Sequence, residues 1–157
     1  MKKLRCIFAV LLACWMSAAC LCTPALAADD SEITQTIVSF EDGSYLVTTI
    51  TVDTQPATDD RGPVSTKSGT KHQDYYNSSR ELVWTFRVHG TFSYDGQSAK
   101  ATFADYSYDV YDSAWSFKRG SASYSGATAT ASGSFAFGLI PTSASVSLTC
   151  SAKGVLS

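Results

Sequence analysis

Alternation of apolar and polar residues in the segment ELVWTFRVHGTFSY, residues 81–94, is the strongest constraint on the fold of this chain. Because successive side chains of a strand point to opposite faces, this period of two predicts a β-strand with one side on a hydrophobic core. Gly90 interrupts the apolar series and predicts a bulge or bend. The apolar face comprises Leu82, Trp84, Phe86, Val88, Phe92 and Tyr94, and the other face Val83, Thr85, Arg87, His89, Thr91 and Ser93.

The same period recurs along most of the chain after residue 30. Two runs rich in Thr, Val and Ile, residues 33–40 and 45–54, flank a Glu-Asp-Gly-Ser turn and predict a hairpin. Residues 142–152 alternate small apolar residues, Cys150 among them, with hydroxyl-bearing ones. Residues 120–134 show the same alternation around a Ser-Gly turn, which predicts a hairpin of small residues. Because its alanines bury little area, we expect this hairpin at a sheet edge or where two sheets approach closely.

No window beyond the N-terminus shows apolar residues at helical spacing over ten positions. The sequence therefore predicts an all-β fold, an antiparallel β-sandwich or partly closed barrel of about seven to nine short strands after an N-terminal signal helix.

The segment DYSYDVYDSAWSF, residues 105–117, contains five aromatic residues among three aspartates. Period two directs Tyr106 and Tyr108 to the core, and Trp115 and Phe117 resume an inward face after a turn at 112–113. Most of the rings are thus expected in the core. The aromatic residues left for the surface are four tyrosines, which form the candidate site for stacking on sugar rings or docking a protein strand: Tyr111, Tyr75, Tyr76 and Tyr124.

The N-terminus has the pattern of a signal peptide. A basic cluster at Met1–Arg5 precedes an uncharged run, Cys6–Ala28, and Ala25-Leu26-Ala27 supplies the small residues of a cleavage site, so we expect secretion with cleavage after Ala27. Two alternatives remain open: the uncut run is long enough to span a bilayer, and Ser17–Cys20 resembles a lipoprotein box whose cysteine would be lipidated. Membrane association is expected only through such an uncleaved or lipidated N-terminus.

The length of 157 residues suits one domain after the signal peptide, 1–27, because a domain usually has ~100–200 residues. We expect a single secreted β-sandwich domain, 28–157. Within it, 28–56 form an N-terminal hairpin, 57–69 a loop marked by Pro and Gly, and 70–157 the main set of strands.

Charge and cysteine content argue against a nucleic-acid-binding protein and against a disulfide-bonded framework. Removal of residues 1–27 takes three of the 12 basic residues and none of the 14 acidic ones, which leaves a charge of −5. Nucleic acid is therefore not an expected partner, because binding to phosphates needs clustered Lys and Arg. Four of the five cysteines leave with the signal peptide. Cys150 is expected as a buried free thiol, with an intermolecular disulfide as the alternative.

Candidate catalytic residues are few. His72 and His89 are the only histidines, and a metal site would need them to converge with each other or with carboxylates. There is no Gly-x-Ser-x-Gly sequence for a nucleophile. Asp105 and Asp109 share the outward face of one strand and are interpreted as solubilising residues rather than as a glycosidase pair. No catalytic, metal-binding or cofactor-binding residue is predicted, and no cofactor is expected.

Five segments, TKSGTK, VWTFRVHGTFSYDGQSAKAT, YDVYDSAW, SASYSGATATA and LTCSAKGVLS, resemble a group of small secreted β-rich proteins of Gram-positive, Clostridia-type bacteria that has no established activity. The resemblance covers roughly residues 64–157 and implies export and a β fold, but no site. It also implies that relatives often carry a cysteine at the position of Ala101 that could pair with the equivalent of Cys150. In this chain Ala101 excludes that disulfide.

The expected function is that of an extracellular, non-catalytic binding or structural module whose partner is unknown, either a glycan or a protein at the cell envelope. A secreted bacteriocin-like antagonist is the first alternative, and it would inhibit the growth of neighbouring bacteria. A small extracellular hydrolase is the second, and it would require a pocket in which His72 or His89 meets a serine or two acids.

Overall fold

The structure is a computed structural model that describes residues 34–53 and 64–157. Eight strands are present in these ranges: β1 (Thr34–Ser39), β2 (Tyr45–Val52), β3 (Ser65–Tyr76), β4 (Leu82–Tyr94), β5 (Ala99–Val110), β6 (Trp115–Ser125), β7 (Thr128–Phe137) and β8 (Ile140–Thr149). Sheet A has the order β1-β2-β3-β4-β5 and sheet B the order β6-β7-β8, and all pairs are antiparallel. The predicted all-β fold of two antiparallel layers is confirmed, whereas the predicted signal helix lies outside the described residues.

The turns follow the sequence signals for Asp-Gly hairpins. In the β1–β2 turn the Asp42 carboxylate accepts hydrogen bonds from the Ser44 hydroxyl at 2.6 Å and from its N–H at 2.9 Å, while Gly43 adopts φ 82°. In the β4–β5 turn Asp95 accepts from the N–H groups of Gln97 and Ser98 at 2.9 and 2.7 Å. These bonds lower the pKa of both carboxyl groups, because they favour the ionised form.

Strand β4 lies at the centre of the core. Of the six predicted inward residues, Trp84, Phe86, Val88 and Phe92 are buried, whereas Leu82 and Tyr94 at the two ends of the strand are only partly buried. The Trp84 ring stacks on Phe135 of sheet B with centroids 4.4 Å apart. The buried Trp84 indole N–H has no hydrogen-bond acceptor among the described residues. The alternation of residues 81–94 therefore identifies the core strand correctly.

Two residues assigned to the outward face of β4 are also buried. The link between β5 and β6 crosses the end of β4, where the Tyr111 N–H donates to the Val83 carbonyl at 2.8 Å. The Thr85 hydroxyl donates to the Asp74 carboxylate at 2.6 Å. Val83 is the extra residue of a bulge between the pairs Tyr75–Trp84 and Tyr76–Leu82, and it belongs to the hydrophobic core, whereas Thr85 is buried on the outward face beside Asp74.

The prediction of a bulge or bend at Gly90 is wrong. Gly90 stays in register with Gly69 of β3 and Ala104 of β5, and the irregularity instead lies in β5, where Thr102 is the extra residue between two normal pairs. A Cβ atom at position 90 would lie 2.8 Å from the Phe92 ring and 3.0 Å from the Ala129 methyl group. Glycine therefore provides space for inter-sheet packing here.

Strands β6 and β7 form the predicted small-residue hairpin. Ala129 and Ala131 are fully buried against sheet A, and a Cβ atom at Gly133 would approach the Phe86 ring to 2.8 Å. Both expectations for this hairpin are confirmed, since β6 ends sheet B and the two sheets approach closely over β7. Small residues on sheet B thus match large rings on sheet A.

The aromatic segment 105–117 spans two strands. Tyr106 and Tyr108 of β5 point towards sheet B as predicted, and the Tyr108 ring stacks on Phe117 of β6 with centroids 3.6 Å apart. Trp115 and Phe117 are half-buried against the core. These contacts confirm that most rings of the segment contribute to packing between the sheets, although the edge of Tyr108 stays exposed.

The chain after β8 folds back along this strand. Thr149 and Ser157 exchange two backbone hydrogen bonds of 2.9 Å. The buried Leu156 side chain packs directly against Gly69, so that any side chain at position 69 would overlap it. Cys150 is buried, as predicted, and forms no disulfide within the described residues; burial raises the pKa of its thiol.

The loop predicted at 57–69 ends earlier than expected, because Ser65–Gly69 already belong to β3; residues 57–63 lie outside the described residues. β2 pairs with β3 along its length, so the N-terminal hairpin belongs to the same sheet as β3–β5.

Candidate functional site

Unequal sheets leave a groove at one side of the sandwich. Sheet B packs on β3, β4 and β5, so the inward faces of β1 and β2 have no strand opposite them within the described residues. The resulting space, here called the inter-sheet groove, has a volume of about 410 Å³. Its lining residues are Thr36, Thr48, Ile50, Lys71, Gln73, Ser145, Val146 and Ser147.

Strand register places the groove side chains. Thr36, Thr48 and Gln73 are neighbours across β1, β2 and β3, and Ile50 and Lys71 form the next inward-facing pair. The apolar Ile50 is buried, while the other four side chains present hydroxyl, amide or ammonium groups. The groove therefore combines an apolar base with a few polar groups, as ligand sites commonly do.

Lys71 is the charged group of the groove. Its side chain is partly buried, and the burial lowers the pKa of its ammonium group because the charged form loses hydration. No hydrogen bond or ion pair to it occurs within the described residues. The inward-facing positions of β1, β2, β3 and β8 contain no Asp or Glu. The groove thus offers an ammonium group without a carboxylate of its own.

The free edge of β8 forms the other wall of the groove. Cys150 N–H donates to Ala127 on the side of β7, whereas Thr149 bonds to Ser157 on the opposite side. Because the direction of backbone groups alternates along a strand, the N–H and C=O groups of Ser143, Ser145 and Ser147 also point to this free edge. Within residues 34–53 and 64–157 no strand pairs with them there.

Both histidines lie on the outward face of sheet A, opposite to the groove. His72 Nε2 is 3.5 Å from Asp74, whereas His89 Nδ1 is 3.1 Å from the Thr70 hydroxyl and 3.6 Å from Asp53. Hydroxyl and carboxylate thus meet the same ring nitrogen of His89. In a catalytic triad they occupy opposite nitrogens, so that the imidazole can pass a proton between substrate and protein.

The predicted outward acids are in place. Asp109 accepts a 2.6 Å hydrogen bond from Arg87 in an ion pair, and Asp105 is paired across the strands with His89. Within the described residues no cluster of three or more His, Cys, Asp and Glu residues is arranged to hold a metal ion. Asp109 is therefore engaged in an ion pair with Arg87, while Asp105 accepts a hydrogen bond from the Tyr106 N–H at 2.7 Å.

The four predicted tyrosines do not form one surface. Tyr75 is half-buried and packs between Trp84 and Trp115, with ring centroids 5.3 and 5.5 Å away, so its role is in packing. Tyr124 is 52% exposed, but it lies beside the β6–β7 turn, at the end of the sandwich opposite to Tyr111.

A smaller tyrosine group does exist at the β3–β4 end of sheet A. Tyr76 stacks on Tyr45 with a centroid distance of 4.8 Å. Tyr111, which is 56% exposed, is close enough for its charge to affect the pKa of Tyr76. Burial raises the pKa of Tyr76, and Asp74, Tyr45 and Tyr111 raise it further. Sequence reasoning missed Tyr45 in this group because only strand pairing brings it there.

An apolar hairpin tip and a hydroxyl-rich face are further surface features. At the β7–β8 turn Leu139 is fully exposed, and its neighbours Phe137 and Ile140 are exposed as well. On the outward face of sheet B a depression of about 570 Å³ is lined mainly by serines, with Arg119 at one side. Neither combines an apolar base with an unpaired charge and a free strand edge, as the inter-sheet groove does.

Comparisons of the chain with protein-family models, with curated proteins and with solved structures found no match. Among the described residues, no helix is long and apolar enough to cross a membrane.

Proposed function

We propose that this chain is an exported, non-catalytic binding module whose ligand occupies the inter-sheet groove. The observation that carries the proposal is the composition of that groove, where the Lys71 ammonium group, without an ion-pair partner in the described residues, lies beside the free edge of β8. Ligand sites are typically concave surfaces with an apolar base and a few well-placed polar groups. Export is supported by the signal-peptide pattern of residues 1–27.

Export is tested by N-terminal sequencing of the protein recovered from the medium of a host that expresses the full chain. The proposal expects a mature N-terminus at Ala28. Retention of the full chain in the membrane, or a lipidated Cys20 at the N-terminus, would instead support one of the two anchored alternatives.

Binding is tested with two tryptophan substitutions on β1 that differ only in direction. Thr36→Trp places an indole ring in the inter-sheet groove, whereas Gln35→Trp places the same ring on the outward face of sheet A, since neighbouring strand residues point to opposite sides. Both positions are exposed on the outermost strand, so neither change disturbs the core.

The wild-type protein and both variants are applied to a glycan array and to immobilised cell-envelope proteins. The proposal expects ligands that bind wild type and Gln35→Trp equally but lose at least about tenfold in affinity with Thr36→Trp, because the ring occupies their space. Ligands that bind all three proteins equally would place the binding surface elsewhere and contradict the proposal.

The two alternative functions are tested with the same preparations. Growth inhibition of neighbouring bacteria by the purified protein would favour the bacteriocin-like antagonist. Hydrolysis of ester, peptide or glycoside substrates that His89→Ala abolishes would favour the hydrolase, because His89 contacts both Thr70 and Asp53.

A further inference from the structure

We propose that the inter-sheet groove binds an extended acidic polypeptide segment, which pairs with the free edge of β8 as a fourth strand of sheet B and places a carboxylate against Lys71. This inference rests on the proposed function and names its partner class. It is an instance of β-strand addition, in which backbone hydrogen bonds supply affinity and alternate side chains supply specificity.

The first support comes from the backbone of β8. Ser143, Ser145 and Ser147 direct N–H and C=O groups to the groove at a repeat of about 6.8 Å, two residues of an antiparallel strand. The segment after β8 already uses this edge, since Ser157 bonds to Thr149 through two 2.9 Å hydrogen bonds and Leu156 packs inward. An added strand would continue the same pairing along the remainder of β8.

The second support is the space beneath β1 and β2. Paired strands lie ~4.8 Å apart and stacked sheets ~10 Å apart, so a fourth strand of sheet B would lie below β2 and complete the sandwich. Its inward side chains would meet Ile50, Thr48 and Val146, and its outward side chains would face solvent. The expected sequence therefore alternates apolar with polar residues.

The third support is charge. Lys71 is partly buried, has no ion pair within the described residues and faces a groove whose inward positions lack Asp and Glu. A carboxylate on the added strand would form a charge-assisted hydrogen bond with this ammonium group, and the Gln73 amide two residues away could bond to the same strand. A basic segment would be repelled, which selects for acidic partners.

A glycan fits these features less well than a polypeptide. Sugar rings are commonly held by exposed aromatic side chains, and none lines the inter-sheet groove. A straight row of alternating backbone donors and acceptors matches another strand directly. The tyrosine group of Tyr45, Tyr76 and Tyr111 lies on the other face of sheet A.

The test is a phage-displayed library of random peptides of about nine residues, a length that covers the free edge. Selection is performed on the protein purified after expression of the full chain and on its Thr36→Trp, Gln35→Trp and Lys71→Met variants. We expect wild type and Gln35→Trp to enrich alternating sequences with Asp or Glu at a fixed position, and Thr36→Trp to enrich none. With Lys71→Met the acidic preference should disappear.

The best peptide is then compared with its Glu→Gln or Asp→Asn twin. Wild type should bind the acidic peptide about tenfold more tightly, a difference of 1.4 kcal/mol, whereas Lys71→Met should bind both equally. Hydrogen exchange should slow at the amides of Ser143, Ser145 and Ser147 when the peptide is bound, because edge amides gain hydrogen-bond partners. Urea unfolding of each variant shows whether it is folded.

Each contrary result has a distinct meaning. Three results would overturn the strand-addition inference: no enriched peptides, equal enrichment on wild type and Thr36→Trp, or unchanged hydrogen exchange at the β8 amides when the peptide is bound. If the glycan array nevertheless yields a ligand that Thr36→Trp excludes, the proposed function stands with another partner class. Protection of the β8 amides in the free protein that rises with its concentration would show that a second copy occupies the edge, and would also overturn the inference.

Discussion

Gly133→Ala tests the close approach of the two sheets. A Cβ atom at this position would lie 2.8 and 2.9 Å from two carbons of the Phe86 ring and 3.3 Å from Phe117. Since carbon atoms prefer separations of about 3.5–4.0 Å, the methyl group requires a displacement on the order of 0.7 Å. Phe86 is fully buried and its ring neighbours the rings of Tyr106, Phe117 and Phe135, so it cannot move alone.

Overpacking of this kind costs about 1–3 kcal/mol. Alanine also restricts the unfolded chain and thereby returns about 0.4–1 kcal/mol, so a net loss of about 1–2 kcal/mol in the free energy of unfolding is expected. For a domain of this size, Tm should fall by about 4–8 °C.

The assay is urea unfolding followed by the fluorescence of Trp84 and Trp115, which both belong to the core or pack against it. Ser132→Ala is the matched control, because Ser132 is the neighbouring residue on β7, is exposed and points away from sheet A. It should change stability by less than about 0.5 kcal/mol. A Gly133→Ala variant as stable as wild type would refute the packing described for the two sheets.

Ala101→Cys should form a disulfide with Cys150 in air and stabilise the fold by about 2–4 kcal/mol. Both residues are buried, and their backbone N–H groups donate to the carbonyls of the consecutive residues 126 and 127. Persistence of two free thiols would contradict this prediction. Leu156→Ala should lower the free energy of unfolding in urea by about 2–4 kcal/mol, as expected for a buried leucine. A decrease of less than about 0.5 kcal/mol would mean that the C-terminal segment does not pack on β3. Hydrogen bonds from Ser98 and Gln97 lower the pKa of Asp95 in the folded state below its ordinary value of 3.8. Ionised Asp95 therefore stabilises the fold at pH values above 3.8, and this contribution disappears as the pH falls through the lower pKa of the folded state. An Asp95→Asn variant that loses as much stability as wild type during acid titration would contradict the prediction.

The fold could be predicted from sequence where one strand carries its own apolar pattern. Trp84 and Phe86 in β4, and Val146 and Leu148 in β8, show period two locally, and their direction depends only on that period. The role of Gly90 could not be predicted in this way, because it depends on the close approach of Phe92 and Ala129, which no local pattern contains.

The groove could not be predicted in the same way. Strand β3, STKSGTKHQDYY, is polar up to Asp74 and has no apolar alternation, so the inward direction of Lys71 and Gln73 becomes visible only through pairing with β2 and β4. The imbalance of five strands against three is likewise a property of the whole topology. The signal that the sequence does carry is the position of a polar segment between two apolar ones.

The tyrosine prediction failed in part for a related reason. Adjacent residues of a strand point to opposite faces, so Tyr75 and Tyr76 could not both contribute to one surface once β3 was recognised as a strand. Their actual partners, Trp84 for Tyr75 and Tyr45 for Tyr76, come from the neighbouring strands.

Residue-resolved NMR of the protein with the best selected peptide tests the central claim most directly. We expect chemical-shift changes to concentrate at Thr48, Lys71, Ser145 and Ser147, with new contacts between the β8 backbone and the peptide backbone. Changes confined to Tyr111 and its neighbours, with β8 unaffected, would contradict the assignment of the inter-sheet groove as the binding surface.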